Sequence, residues 1–200
     1  VLSVDGPGLA GFTAPNDVLD CGNSGTTMRL TAGLVAGCDF ETVLTGDESL
    51  RSRPMARIIE PLRMLGAVIE GSENDTRAPL RIRGGDLTGT RVVLDVASAQ
   101  VTSAIVLAAL QATGTTEIVE PAPSRDHTYR MLSALGAPVG RTAERLLVEA
   151  GEPRPFEFEV PGDPSSAAFF VVAATLIAGS ELIIDSIDAN PLRLGFVDVL

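Results

Sequence analysis

Two hundred residues suffice for one domain and part of another, and a chain that is 45% apolar with seven Phe, one Tyr and no Trp must build its core from Ala, Val, Leu and Ile. A net charge of −11 argues against a nucleic-acid partner, which demands clustered positive charge, and every basic residue is Arg. One His (His127), two Cys (Cys21 and Cys38) and no Cys-x-x-Cys motif argue against a metal site and a disulfide scaffold, so a reducing cytoplasm is the expected location.

The opening stretch VLSVDGPGLAGF has neither the basic start nor the apolar run of a signal peptide. It leads into a strand expected at DVLDC; both chain ends read as cut, and a longer parent is expected. SGTTMRLTAGLVAG (24–37) begins with small hydroxyl residues, continues as apolar helix and stops at Gly, after which FETVLTG (40–46) is β-rich. RPMARIIEPLRMLGA (53–67) predicts a second helix ending in Leu-Gly-Ala. PLRIRGG (79–85) reads as a strand after the turn-like GSENDTRA, and TRVVLDV (90–96) as a strand leading onward.

The order then recurs. A helix over 98–114 (SAQVTSAIVLAALQATG) is followed by a strand in TTEIVEP (115–121) and a helix over 126–137 that again ends in Leu-Gly-Ala. APVGRTAERLLVEA and FEFEV supply the paired strands. A third round opens with a helix over 165–179, a strand in SELIIDS (180–186) and a helical start in NPLRLGFVDVL. The most apolar run, AAFFVVAATLIA (167–178), falls short of the roughly 20 residues of a membrane span and predicts a buried helix; no membrane partner is expected. The repeating unit is β-α-β-α-β-β, about 70 residues long from Gly66 to Gly136. The fold class is therefore α/β (α+β), with Ala-rich parallel helices buried side by side and sheets outside them.

The helix starts carry the polar chemistry. Unsatisfied N–H groups and the positive end of the helix dipole suit an anion. NSGTTMR contributes Asn23, Thr26 and Arg29, with Gly25 allowing close approach to the backbone. SAQ contributes Ser98 and Gln100, GDESLRSRP brings Arg51 and Arg53 just before Pro54, and PSRDHT brings Ser124 and Arg125. Arginines, hydroxyls and helix N-termini on one rim of an acidic protein point to a small polyanion with phosphate and carboxylate groups. Taken one at a time, the serines also read as plain N-caps, the arginines as solvated charges, His127 as a turn residue, and Asp20, Asp47 and Glu48 as surface groups. No Ser-His-Asp set, GxxxxGK[ST] or GxGxxG is present.

LDCGNSGTTMRL, LTGDESLRSRPMARIIEPLRMLGA, VASAQVTSAIVLAALQATGTT, EPAPSRDHTYRML and VPGDPSSAAFFVVAA together resemble the 5-enolpyruvylshikimate-3-phosphate synthases of the enolpyruvyl transferase family, over essentially the whole chain. The resemblance implies an inside-out fold of two lobes, each of three β-α-β-α-β-β units with buried parallel helices. Residues 1–158 would form most of the first-built lobe, two units plus the end of another. Residues 159–200 would form the crossover and the truncated start of the second lobe.

The implied reaction moves the enolpyruvyl group of phosphoenolpyruvate to the 5-hydroxyl of shikimate 3-phosphate and releases phosphate, with no metal or organic cofactor. Asn23, Gly25, Thr26, Arg53 and Gln100 would line the phosphoenolpyruvate pocket, which the herbicide glyphosate also occupies. Ser98, Gln100, Ser124 and Arg125 would hold shikimate 3-phosphate. Where some members read Ser-Ser-Gln, this chain has Ser98-Ala99-Gln100 and loses a hydroxyl. The family's lysine, aspartate and glutamate catalysts would fall outside the 200 residues, so the chain alone is expected to be inactive. The parent is expected to be a cytoplasmic monomer. A UDP-N-acetylglucosamine enolpyruvyl transferase, or a non-catalytic anion-binding lobe, is the alternative.

Overall fold

The computed structural model describes residues 2–142 and 145–200. Its elements are β1 (Leu19–Asp20), α1 (Gly25–Val35), β2 (Glu41–Thr45), α2 (Glu48–Arg51), α3 (Ala56–Met64), β3 (Val68–Gly71), α4 (Ser72–Asp75) and β4 (Arg77–Arg83). They continue with β5 (Arg91–Val93), α5 (Ala99–Ala109), β6 (Thr116–Val119), α6 (His127–Ala134), β7 (Val139–Arg141), β8 (Arg145–Val148) and α7 (Pro164–Leu176).

The repeat is exact in topology. One sheet has the order β1-β2-β4-β3 and the other β5-β6-β8-β7. In each, the first pair is parallel across a helical crossover and the remaining pairs are antiparallel. Both second helices, α3 and α6, end in the same cap. Gly66 and Gly136 take positive φ, their N–H groups bond to Arg63 O and Ser133 O, and the following Ala67 and Ala137 bond back to Leu62 O and Leu132 O. This is the Schellman arrangement, and it explains why Leu-Gly-Ala recurs.

Sheet faces alternate as a half-buried strand requires. In β4, Ala78, Leu80 and Ile82 point inward, while Arg81 points out and pairs diagonally with Glu41 of β2. Helices α1 and α5 form the middle of the core. In α5, residues 101–106 together with Ala108 and Ala109 are buried, as expected of a helix apolar on nearly all sides. Its neighbour comes very close: a Cβ on Gly33 of α1 would lie 2.1 Å from the Ala104 carbonyl oxygen. Glycine at that crossing is what lets the two backbones meet.

TRVVLDV opens the second unit as β5, as its place in the chain predicts, while β4 pairs with β2 on one side and β3 on the other. Four expectations are corrected. FEFEV forms no strand, because β7 and β8 already complete that unit. Helix α3 begins at Ala56 rather than Arg53, and a separate turn of helix, α2, precedes it. In the third round only α7 forms regular structure. Among the described residues SELIIDS has no strand alongside to take its backbone bonds, and its β-type pairing is limited to an isolated bridge between Gly162 and Ile187. NPLRLGFVDVL makes a 3-10 turn at Pro191–Arg193. Helix α7 itself is not buried: Phe169 is 79% and Phe170 66% exposed, since no described element packs on them.

Candidate functional site

The loop between β1 and α1 sets the first part of the site. Ser24 caps α1 by accepting from the Thr27 N–H (3.1 Å) and hydroxyl (2.8 Å). That cap turns Asn23 outward, where its Nδ2 donates to Asp47 Oδ2 at 2.7 Å and its Oδ1 accepts from Arg53 Nη2. Asp47 in turn caps α2 by accepting from the Leu50 N–H. The Leu50 and Asn23 bonds hold the Asp47 carboxyl below its ordinary pKa, so it stays an anchoring anion. Arg53 is thus aimed by a chain of three side chains running from a helix cap.

A second chain starts on α5. Gln100 donates through Nε2 to Thr26 Oγ1 (2.7 Å) and accepts through Oε1 from Arg29 Nη1 (2.6 Å). Arg29 also donates to the Pro54 carbonyl (3.2 Å). Gly25 lies beneath both guanidinium groups: a Cβ there would be 2.9 Å from Arg29 Nη1 and 3.2 Å from Arg53 Nη1. Burial, and then the charges of Arg53 and Arg57, push the Arg29 pKa down. Eight other arginines have carboxylate partners, whereas Arg29, Arg53 and Arg57 have none among the described residues. Three neighbouring unneutralised cations in an acidic protein are an arrangement that an anion would relieve.

Beside this cluster lies a cavity of about 550 Å³ lined by Ala97, Ser98, Ala99, Gln100, Pro123, Ser124, Arg125 and Leu192. Ser98 occupies the N-cap position of α5 but makes no capping bond with its side chain, so its hydroxyl is not spent on the helix. The first N–H groups of α5 open into the same space. Gln100 lines the cavity and also bonds Thr26 and Arg29, and so joins the two halves of the site.

The eight residues singled out from the sequence therefore fall into two adjoining groups that share Gln100. Asn23, Gly25, Thr26, Arg53 and Gln100 surround the arginine cluster, and Ser98, Gln100, Ser124 and Arg125 line one cavity. Sequence reasoning passed over Arg57 and Glu120. The first stands four residues after Arg53, one helical turn along. The second directly follows β6 and continues the period-two alternation of its inward residues Thr116 and Ile118, so the pattern could have marked it as a buried carboxylate. Among the described residues no three His, Cys, Asp or Glu side chains converge as metal ligands would, and no helix is long and apolar enough to cross a membrane.

A family model described as EPSP synthase (3-phosphoshikimate 1-carboxyvinyltransferase) matches residues 3–200. The chain is 52% identical over 199 residues to the 3-phosphoshikimate 1-carboxyvinyltransferase of Geotalea uraniireducens, covering all of this chain and 46% of that one. It is 48% identical over 198 residues to that of Bacillus pumilus, covering 98% of this chain and 46% of the relative. An EPSP synthase structure from Acinetobacter baumannii superposes with a TM-score of 0.91 at 43% identity, over 98% of this chain and 44% of that one. The chain spans about half the length of the curated relatives it matches.

Proposed function

The chain belongs to the family of EPSP synthases (3-phosphoshikimate 1-carboxyvinyltransferases), and from that premise we propose that it supplies one wall of an enzyme that transfers an enolpyruvyl group from phosphoenolpyruvate to the 5-hydroxyl of shikimate 3-phosphate. The observation that carries this reading is the junction at Gln100, where a cluster of unpaired arginines meets a hydroxyl-lined cavity. Two anionic substrates side by side need such a pair of compartments. Arg53 grips the phosphate of phosphoenolpyruvate, with Asn23, Gly25 and Thr26 lining that compartment. Ser98, Ser124 and Arg125 hold the 3-phosphate of the acceptor, and Gln100 lies between the two.

In the transfer, the methylene carbon of phosphoenolpyruvate takes a proton while the acceptor's 5-hydroxyl oxygen attacks C2 and gives up its own. The tetrahedral adduct then loses inorganic phosphate and a methyl proton, which restores the enol ether. This wall contributes anion binding and orientation, holding the two reactants in contact. Burial and the Asp20 charge raise the Cys21 pKa, and burial and Asp39 raise that of Cys38, so neither thiol is poised as a reactive thiolate. We assign residues 1–158 to one lobe and 159–200 to the crossover and start of another, in a cytoplasmic monomer.

The test is a split of Michaelis constants in the full-length protein. Arg53→Ala should cost about 2–5 kcal/mol, chiefly in use of phosphoenolpyruvate. Arg53→Lys should also be poor, because a planar fork becomes a point charge. Ser98→Ala and Arg125→Ala should instead raise the KM for shikimate 3-phosphate, and Arg51→Ala should be mild. Unchanged kinetics in both Arg53 variants would return that residue to the solvated-charge reading.

A further inference from the structure

A buried carboxylate stands directly behind the hydroxyl-lined cavity, where an anion site would not be expected to hold one. Glu120 follows β6 with its side chain 3% exposed. Its Oε1 accepts from Thr102 Oγ1 of α5 at 2.8 Å and from Ser124 Oγ at 2.5 Å, and its Oε2 accepts from Arg141 Nη1 of β7 at 2.9 Å. Arg141 makes the buried charge tolerable, and is itself held over the Tyr129 ring at 5.3 Å.

The direction of the Ser124 bond has a chemical consequence. An ionised carboxylate only accepts, so the single proton of the Ser124 hydroxyl points at Glu120, away from the cavity that Ser124 lines. What Ser124 then shows to the cavity is lone pairs, which repel a phosphate. To donate to a bound phosphate, the hydroxyl must rotate and give up a short, charge-assisted bond. Resting on the reading of Ser124 as a ligand of the 3-phosphate, we propose that Glu120 is a positioning residue that competes with the phosphate for the Ser124 proton and so weakens acceptor binding. The cost falls on Ser124 alone, because Thr102 and Arg141 keep Glu120 satisfied after the hydroxyl turns away.

The experiment is calorimetric titration of shikimate 3-phosphate into the full-length protein and its Glu120→Gln, Ser124→Ala and double variants, with melting curves on each. A glutamine in this place can donate to the Ser124 oxygen through its amide and release the hydroxyl proton to the phosphate. Glu120→Gln should therefore bind about fivefold tighter, the difference between a charge-assisted and a neutral hydrogen bond. In the Ser124→Ala background the same change should bring no gain. Thr102→Val tests the competition from the other side. It leaves Ser124 the only donor to Glu120 Oε1, strengthens that hold, and should weaken binding about two- to threefold; this variant keeps the test open if Glu120→Gln does not fold. A folded Glu120→Gln that binds no tighter overturns the proposal, as does an equal gain with and without Ser124, which would mark Glu120 as a plain repulsive charge. Thr102→Val binding unchanged or tighter overturns it too. Ser124→Ala without any loss overturns the underlying assignment of Ser124 itself, whereas a loss there without a gain in Glu120→Gln overturns only the role of Glu120.

Discussion

Gly25 separates a ligand-approach glycine from a turn glycine. It is the first residue of α1, is buried, and does not have a positive φ, so its backbone conformation is open to any residue. An added methyl would meet only the ends of Arg29 and Arg53, which are flexible, and alanine is favoured over glycine within a helix by up to about 1 kcal/mol. Gly25→Ala in the full-length protein should therefore leave the melting temperature unchanged or slightly higher while pushing both guanidinium groups out of place. Inhibition by glyphosate, slightly longer than phosphoenolpyruvate, should weaken most, phosphoenolpyruvate binding to an intermediate degree, and shikimate 3-phosphate binding least. Inhibition and melting curves on one purified variant decide the matter: equal losses for all three ligands together with a lower melting temperature would make this stretch a turn and cap only. The residue types at this rim were legible in the sequence because capping and anion binding draw on the same small set of side chains. Their pairing was not. That Asn23 is braced by Asp47, and Gln100 by Arg29, depends on contacts 24 and 71 residues apart in the chain.

At the level of elements, local rules carried far and long-range pairing did not. The Leu-Gly-Ala ends of α3 and α6 were visible because a Schellman cap is made within six residues. Strand β3 escaped notice because Val68–Gly71 offers a single buried side chain, Ile69, too little for a period of two to show. Two substitutions test the packing of the repeated units. Gly33→Ala gains helix propensity but drives its methyl into the Ala104 backbone, which no side-chain rotation relieves. Overpacking of this kind costs about 1–3 kcal/mol, so the variant should melt lower, in contrast to Gly25→Ala. Thr42 of β2 and Thr116 of β6 occupy matching register positions opposite Ile82 and Val148, and both hydroxyls are buried without a partner among the described residues. Thr116→Val keeps the shape and removes an unsatisfied polar atom whose burial costs about 1–3 kcal/mol. Thermal unfolding should show a higher melting temperature, and a lower one would mean that the hydroxyl is satisfied after all.

Across the whole molecule, the third round was misread because its burial depends on neighbours rather than on its own pattern. Helix α7 is apolar on all sides, and such a sequence reads as core whether or not another element lies against it. What ties this last segment to the repeated units is polar. Asp126, 4% exposed, accepts from Asn190 Nδ2 at 2.6 Å as well as from Arg130 and Tyr129, and His127 Nε2 lies 2.8 Å from Asp188 Oδ2. Burial pushes the Asp126 pKa up, but the bonds from Arg130, Asn190 and Tyr129 outweigh it and the net shift is downward. Asp188 is held low chiefly by its bond with His127. Carboxyls depressed in the folded state contribute stability that is fully present above their ordinary pKa of about 4 and is lost as the pH falls through the lower folded value. The attachment of residues 188–193 should therefore persist at neutral pH and fail only in strong acid. Within these 200 residues Tyr129 is the only tyrosine and there is no tryptophan, so in this chain taken by itself its fluorescence reports on Asp126 directly. An acid titration should show one transition in Tyr129 emission below pH of about 4. Asn190→Ala removes one of the donors that hold Asp126 low, so its transition should move to higher pH. A midpoint that does not move in this variant would mean that Asn190 contributes nothing to the Asp126 carboxylate, and that the last segment is held by something other than this polar contact.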